Sequence, residues 1–228
     1  MPQVLNLVSK LTSNQKIFFA EIIGTFVVVS CATGSVVLIA KSHGTIGSWF
    51  EAFAPFVGVC LMVHAFGKIS RAHFNPAVTI SYLITKHITK KQLPIYLAAE
   101  TIGAFLGIIF VKNVIGTEAH LGVNAPNYSF PLWTIFGVEV LATALLMAVI
   151  MGVVHTNGLR GFSGIAIGGI IGIDIFFLAF ISGASMNPIR SLAPAVFSGV
   201  FDNLWLYWTA TFVGSILVGI VYRKKFVK

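Results

Sequence analysis

Six stretches of this chain are apolar for long enough, or nearly so, to cross a lipid bilayer, and they constrain the fold more tightly than any other feature. They run roughly over 17–40, 51–67, 93–111, 130–154, 162–181 and 204–222; a helix that spans the hydrocarbon core needs about 20 residues. The second stretch is short by this measure and is expected to start earlier, near Gly47. In lipid every backbone N–H and C=O must be satisfied internally, which makes helices the expected form. Composition agrees: 57% of residues are hydrophobic and 10% charged, where a soluble domain carries roughly 25% charged residues. The net charge of +8 is then a matter of membrane topology, and no nucleic-acid partner is expected.

The basic residues divide unevenly between the two sides that such spans define. With the N-terminus inside, twelve lie on the cytoplasmic side (Lys10, Lys16, Lys68, Arg71, Lys86, Lys90, Lys91, Arg160, Arg223, Lys224, Lys225 and Lys228) and three outside (Lys41, Lys112 and Arg190). Lysine and arginine concentrate in cytoplasmic loops, so both termini are expected in the cytoplasm of a cell with this protein in its plasma membrane. The opening MPQVLNLVSKLTSNQK lacks the basic start, apolar run and small-residue cleavage site of a signal peptide. Residues 1–15 read as a short amphipathic cytoplasmic segment. Cys31 and Cys60 fall in apolar runs and read as small buried hydrophobes.

The chain reads as one transmembrane domain built from two repeats, about 17–111 and 130–222. The first span carries AEIIGTF and the fourth VEVLATA, each with an acid (Glu21, Glu139), a small residue three later and a threonine four later. Each half then reaches an Asn-Pro pair after its own second span: HFNPAVT at 73–79 and SMNPIRS at 185–191. Three spans per half is an odd number, so the second half enters the membrane from the opposite side, an inverted repeat of the kind transport proteins use. After each Asn-Pro comes an apolar stretch too short to cross, 77–84 and 189–197. Asparagine suits a helix N-cap and proline the first helical turn, so each stretch is expected to form a half-length helix. Two half-helices entering from opposite faces would meet tip to tip near the midplane. Their positive dipole ends would repel a cation there, while the two asparagine amides could bond a neutral molecule through its oxygen.

At these residues the sequence resembles the aquaporin, or major intrinsic protein, family, from AEIIGTF to LVGIVYRK. The resemblance implies an all-α membrane protein of six transmembrane helices and two re-entrant half-helices, a pore in each subunit, a homotetramer, and passive conduction of water or small neutral solutes with protons excluded. It implies that the motifs Asn75-Pro76-Ala77 and Asn187-Pro188-Ile189 form the middle of the pore and that His73 lines a vestibule. Matched without gaps, the outer selectivity filter falls on Arg190, Ile175, Ala184 and Pro55. This set lacks the aromatic residue and histidine of strict water channels, which implies a wider, less polar filter. ISGASMNP…RSLAPAVFSG looks most like the nodulin-26-like plant channels and their bacterial relatives, which pass glycerol, urea or uncharged metalloid hydroxides. Ser191, Ala195 and Tyr207-Trp208 instead resemble water channels, and a strict water pore is the alternative. Ile189 stands where relatives carry alanine and is expected near the meeting point of the half-helix tips, where it repacks or narrows the midplane. In GKISRAHF, Lys68 and Arg71 stand where relatives often have histidine and glycine.

The remaining polar residues are read against these motifs. Intramembrane acids are functional by default, but Glu21 and Glu139 occupy equivalent repeat positions and are expected to accept hydrogen bonds from the loops that lead to the half-helices. Asp174 lies beside Ile175 in the fifth span, has no counterpart in span two, and is expected to brace the loop carrying Arg190, with a place facing the outer vestibule as the alternative. His64 reads as a satisfied interior histidine. His43, His87, His120 and His155 show no ligand spacing, and neither a metal nor a cofactor is expected. Gly103-x-x-x-Gly107 and Gly164-x-x-x-Gly168-x-x-x-Gly172 read as close helix crossings. An ion-coupled transporter built on the same repeat would need several carboxylates at the midplane, and an intramembrane enzyme a nucleophile–base pair; neither set is visible.

Overall fold

A computed structural model describes residues 11–156 and 158–226 of the chain. Six helices among them have the length and apolar composition to cross a membrane. They are α1 (Ser13–Lys41), α2 (Trp49–Ser70), α4 (Leu93–Phe110, continued by a π turn over Val111–Ile115), α5 (Leu132–His155), α6 (Ser163–Ser182) and α8 (Leu204–Phe226); between them lie two short helices, α3 (Pro76–Ile84) and α7 (Pro188–Ser198). Most of the expected 1–15 segment falls on residues 1–10, outside the described residues. What is described of it opens α1 through a capping box: Gln15 N–H donates to the Thr12 hydroxyl at 3.3 Å, and Thr12 N–H to the Gln15 side chain at 2.9 Å. Helix α2 does begin before residue 51, at Trp49, and it carries Pro55 in its interior.

The two short helices are half-length for the reason their first residues dictate. Asn75 and Asn187 are N-caps whose side-chain oxygens accept the N–H of Ala77 and Ile189 at 2.9 and 3.1 Å, and Pro76 and Pro188 occupy the first helical position. At about 1.5 Å per residue neither helix covers more than about half of a bilayer core.

The helices pack in an arrangement that repeats itself. In the first half α1 lies against α4 and α2; in the second α5 lies against α8 and α6, and α2 and α6 join the halves. The half-helices cross over: α3 packs on α8 of the other repeat and α7 on α4. Small residues set the closest crossings. A side chain on Gly103 would meet the Ile22 carbonyl oxygen at 2.5 Å, and one on Gly168 the Phe56 carbonyl oxygen at 2.5 Å. The loop between α4 and α5 turns through left-handed residues Ala119, His120 and Leu121 (φ 49°, 50° and 60°) and lies against α1.

Candidate functional site

The chains leading into α3 and α7 are bent by residues in the left-handed region. They are Arg71, Ala72 and Phe74 in the first repeat, and Gly183, Ala184 and Met186 in the second. Non-glycine residues held there cost of order 1–3 kcal/mol each and persist only where their surroundings hold them. The two buried acids supply that hold. Glu21 accepts the N–H groups of His73 and Phe74 at 3.0 and 2.7 Å. Glu139 accepts those of Ser185 and Met186 at 3.2 and 2.6 Å, together with the Ser182 hydroxyl at 3.0 Å. The scaffold beneath is repeated as well: Ala72 and Ala184 each donate to the hydroxyl of Ser70 or Ser182 at 3.1 Å, and the carbonyls of these serines accept from Tyr96 and Tyr207 at 2.7 and 2.6 Å. Gly24 leaves room for the Phe74 ring, which a side chain would meet at 1.9 Å.

The tips of the half-helices are tied to each other. Asn75 Nδ2 donates to the Met186 carbonyl at 2.8 Å, and Asn187 Nδ2 donates to the Phe74 carbonyl at 2.9 Å. Each amide group has a second N–H, and both asparagines line one narrow cavity. Their outer sides are packed: Ala77 is fully buried, and Ile189 is buried in a cluster with Val29, Ala104, Ile108 and Ala193. Ile189 does not line the cavity, so it repacks the back of α7 against α1 and α4 rather than narrowing the passage. Helical geometry explains this, since Ile189 is turned about 100° away from Arg190, which lines the cavity.

The cavity extends from this midpoint in both directions. It is lined by Pro55, Ile175, Ala184 and Arg190 at one end and by Val63, Ile167 and His73 at the other. Its volume is about 60 Å³, against about 610 Å³ for the vestibule beyond Arg190 and about 670 Å³ for the vestibule beyond Val63. The three lie in series, because the narrow section shares Arg190 and Ile175 with one vestibule and Val63 and Ile167 with the other. Most of the remaining lining is apolar, with Val28, Val59, Leu146, Ile150 and Ile171.

Arg190, on the first turn of α7, is buried and held by acceptors. Its Nη1 donates to the Gly122 carbonyl at 2.9 Å and to Asn124 Oδ1, and its Nη2 to the Ala32 carbonyl at 3.4 Å. Asn124 in turn accepts from the Ser191 hydroxyl at 2.8 Å and donates to the Gly183 carbonyl at 2.9 Å. Asp174 takes no part in this network. It sits one residue round α6 from lumen-lining Ile175, is 2% exposed, lines neither the narrow section nor a vestibule, and leaves Oδ2 without a hydrogen-bond partner. The expected brace on the Arg190 loop is supplied instead by Asn124 and Glu139. His73 lies in the narrow section rather than a vestibule. Its ring stacks on Tyr96 with centroids 4.1 Å apart, and its Nδ1 pairs with the Thr79 hydroxyl at 2.8 Å. His64 is not an interior histidine: it is exposed and lines the vestibule beyond Val63, with Nδ1 on the Cys60 carbonyl at 2.7 Å and Nε2 on the Gly161 carbonyl at 3.2 Å.

Sequence reasoning passed over three residues of this site. Glu100 is a fully buried acid on α4 that accepts the Thr79 hydroxyl at 2.5 Å; its place inside an apolar span was the signal. Asn124 lies in a loop with no pattern to mark it. Glu51 lines both the narrow section and the vestibule beyond Arg190, and its signal was the four-residue spacing to Pro55 on one helix face.

Known proteins resemble this chain along nearly its whole length. The family model for the major intrinsic proteins matches residues 8–222. "Probable aquaporin NIP7-1" of Arabidopsis thaliana is 33% identical over 211 residues, covering 91% of this chain and 76% of that protein. "Aquaporin NIP2-3" of Zea mays is 34% identical over 204 residues, covering 89% and 67%. The X-ray structure of the aquaglyceroporin from Plasmodium falciparum superposes with a TM-score of 0.78 at 24% identity, covering 94% of this chain and 97% of that one, and so shares the fold.

Proposed function

Because the chain belongs to the major intrinsic protein family, we propose that it is a passive channel for water and small neutral solutes, with glycerol, urea and uncharged metalloid hydroxides within its range. The observation that carries this reading is a continuous passage with two vestibules and a narrow section lined by Asn75, Asn187 and Arg190 among mostly apolar side chains. A solute leaving the vestibule loses part of its water and finds donors on Arg190 in exchange. Further in, the second N–H groups of Asn75 and Asn187 bond its oxygen, while the apolar side chains around them offer nothing that would hold it. The N-terminal ends of α3 and α7 add two positive partial charges at the same point. A water there is turned oxygen-first toward both tips, which interrupts a hydrogen-bonded file and opposes protons and cations.

In this reading Pro55, Ile175, Ala184 and Arg190 form the filter. The three without charge bring no hydrogen-bonding side chain, which favours solutes larger and less polar than water alone. The acids support a channel rather than an ion-coupled transporter, since Glu21, Glu139 and Asp174 line none of the three spaces. The reading extends to the assembly: one domain of two repeats, copied in a homotetramer within the plasma membrane, with both termini and the His64 vestibule on the cytoplasmic side. The test is reconstitution in liposomes and an osmotic step followed by light scattering. Fast shrinkage in impermeant osmolyte, then fast re-swelling with glycerol and urea, is expected. Fast shrinkage without re-swelling would make it a strict water channel and would overturn the solute range proposed from the filter.

A further inference from the structure

Four residues line both the narrow section and the vestibule beyond Arg190: Glu51, Ile175, Gly183 and Arg190. They form the neck through which every solute passes. Glu51 is the one acid lining either space among the described residues. It stands four residues before Pro55 on α2, so it lies one turn above that filter position on the same helix face.

The neighbouring polar side chains at this end are largely engaged with one another. Asn124 Oδ1 is taken by Arg190 and Ser191, and its Nδ2 by the Gly183 carbonyl. Asn203 Oδ1 accepts from the Tyr128 hydroxyl. Three of the five N–H donors of Arg190 go to Gly122, Asn124 and Ala32, and none goes to Glu51. Glu51 shares the neck with Arg190, yet no hydrogen bond occupies its carboxylate among the described residues. The neck therefore presents a fixed set of donors on one element and an unoccupied charged acceptor on another. Charge-assisted hydrogen bonds of the kind each can make are the strong ones.

We propose that Glu51 is a second recognition group of the filter, accepting an O–H or N–H of a solute whose own oxygen accepts from Arg190. The inference rests on the neutral-solute reading and names the chemistry within it. The favoured solutes are compact and uncharged and carry several donors beside an acceptor oxygen: small polyols, urea and simple amides, and the hydroxides of metalloids. A solute of this kind exchanges its lost hydration for two directed bonds at once, whereas a solute with an acceptor alone keeps one.

Glu51 is half-buried and no hydrogen bond holds its carboxylate among the described residues, so its replacement breaks none. The experiment compares the full-length wild type, Glu51→Leu and Glu51→Gln in liposomes, reading glycerol and urea permeability as ratios to water permeability in the same preparation. Glu51→Leu is expected to lower both ratios about tenfold, the size of one lost hydrogen bond to a charged group. Glu51→Gln, which keeps an acceptor oxygen, is expected to restore most of that loss. An unchanged ratio in Glu51→Leu, or a loss in Glu51→Gln as large as in Glu51→Leu, would overturn the proposal while leaving the neutral-solute channel standing. A wild type that conducts water but neither solute would instead overturn the solute range read from the filter, and the proposal with it.

Discussion

A carboxylate that accepts two or three N–H or O–H groups inside a protein cannot be exchanged for an amide without loss. In place of Glu21 or Glu139, a glutamine would turn its NH₂ toward at least one donor that the second carboxylate oxygen now accepts. Each substitution is expected to cost about 1–3 kcal/mol, the price of one buried donor left without an acceptor. A lower melting temperature in detergent and slower water flux would accompany it; a variant that melts with the wild type would show that these acids do not hold the loops. Glu100 differs, because it accepts from one group, the Thr79 hydroxyl. Glu100→Gln can keep that bond, while Glu100→Leu removes it and leaves the Thr79 hydroxyl only His73 Nδ1. The glutamine variant is expected to melt near the wild type and the leucine variant about 1–3 kcal/mol below it, which a thermal melt of the pair would check. Glu21 and Glu139 could be read from the sequence because they recur at equivalent points. Glu100 and Asn124 have no repeat partner of the same type, and Asp174 was misassigned because sequence adjacency to Ile175 says little about which helix face a residue occupies.

The elements followed from local chemistry where that chemistry is strong. Asn-Pro sets the start of α3 and α7 by cap and fixed φ, and their lengths follow from the ladder of bonds they can close. The second span proved longer than its apolar run because Trp49 and Phe50 carry α2 beyond residue 51. The loop between α4 and α5 was not legible: its left-handed turn is fixed by packing against α1, and it supplies two of the groups that hold Arg190. The crossing of α1 and α4 gives an element-scale test. Gly103→Val would drive a side chain into the Ile22 carbonyl, 2.5 Å from where its Cβ would stand. Backbone cannot yield there as a flexible side chain can, so the variant is expected to lose about 1–3 kcal/mol or more. Size-exclusion profiles and melting temperature would register this, and a valine variant as stable as the wild type would contradict the crossing.

At the scale of the whole molecule, the passage is an hourglass whose two mouths differ in charge chemistry. The mouth beyond Val63 holds a pair of imidazoles, His87 Nε2 and His155 Nε2, 2.5 Å apart. Only one proton can sit between them. Burial, then the neighbouring His155 and Arg71, push His87 down from 6.5 to about 4. A base whose folded value is lowered adds stability above its unfolded value and loses it as the pH falls toward the folded one. The melting temperature is therefore expected to drop between about pH 6.5 and pH 4, and His87→Phe to flatten that slope; an equal slope in both proteins would exclude this pair as its source. The central claim is that the passage conducts neutral molecules and withholds ions, and one preparation tests it directly. Liposomes carrying the protein and an internal pH indicator are given an osmotic step and a proton gradient together. Water flux well above that of protein-free vesicles, with the proton gradient decaying no faster than theirs, is the predicted result. Collapse of the gradient, or water flux no faster than through lipid alone, would contradict it.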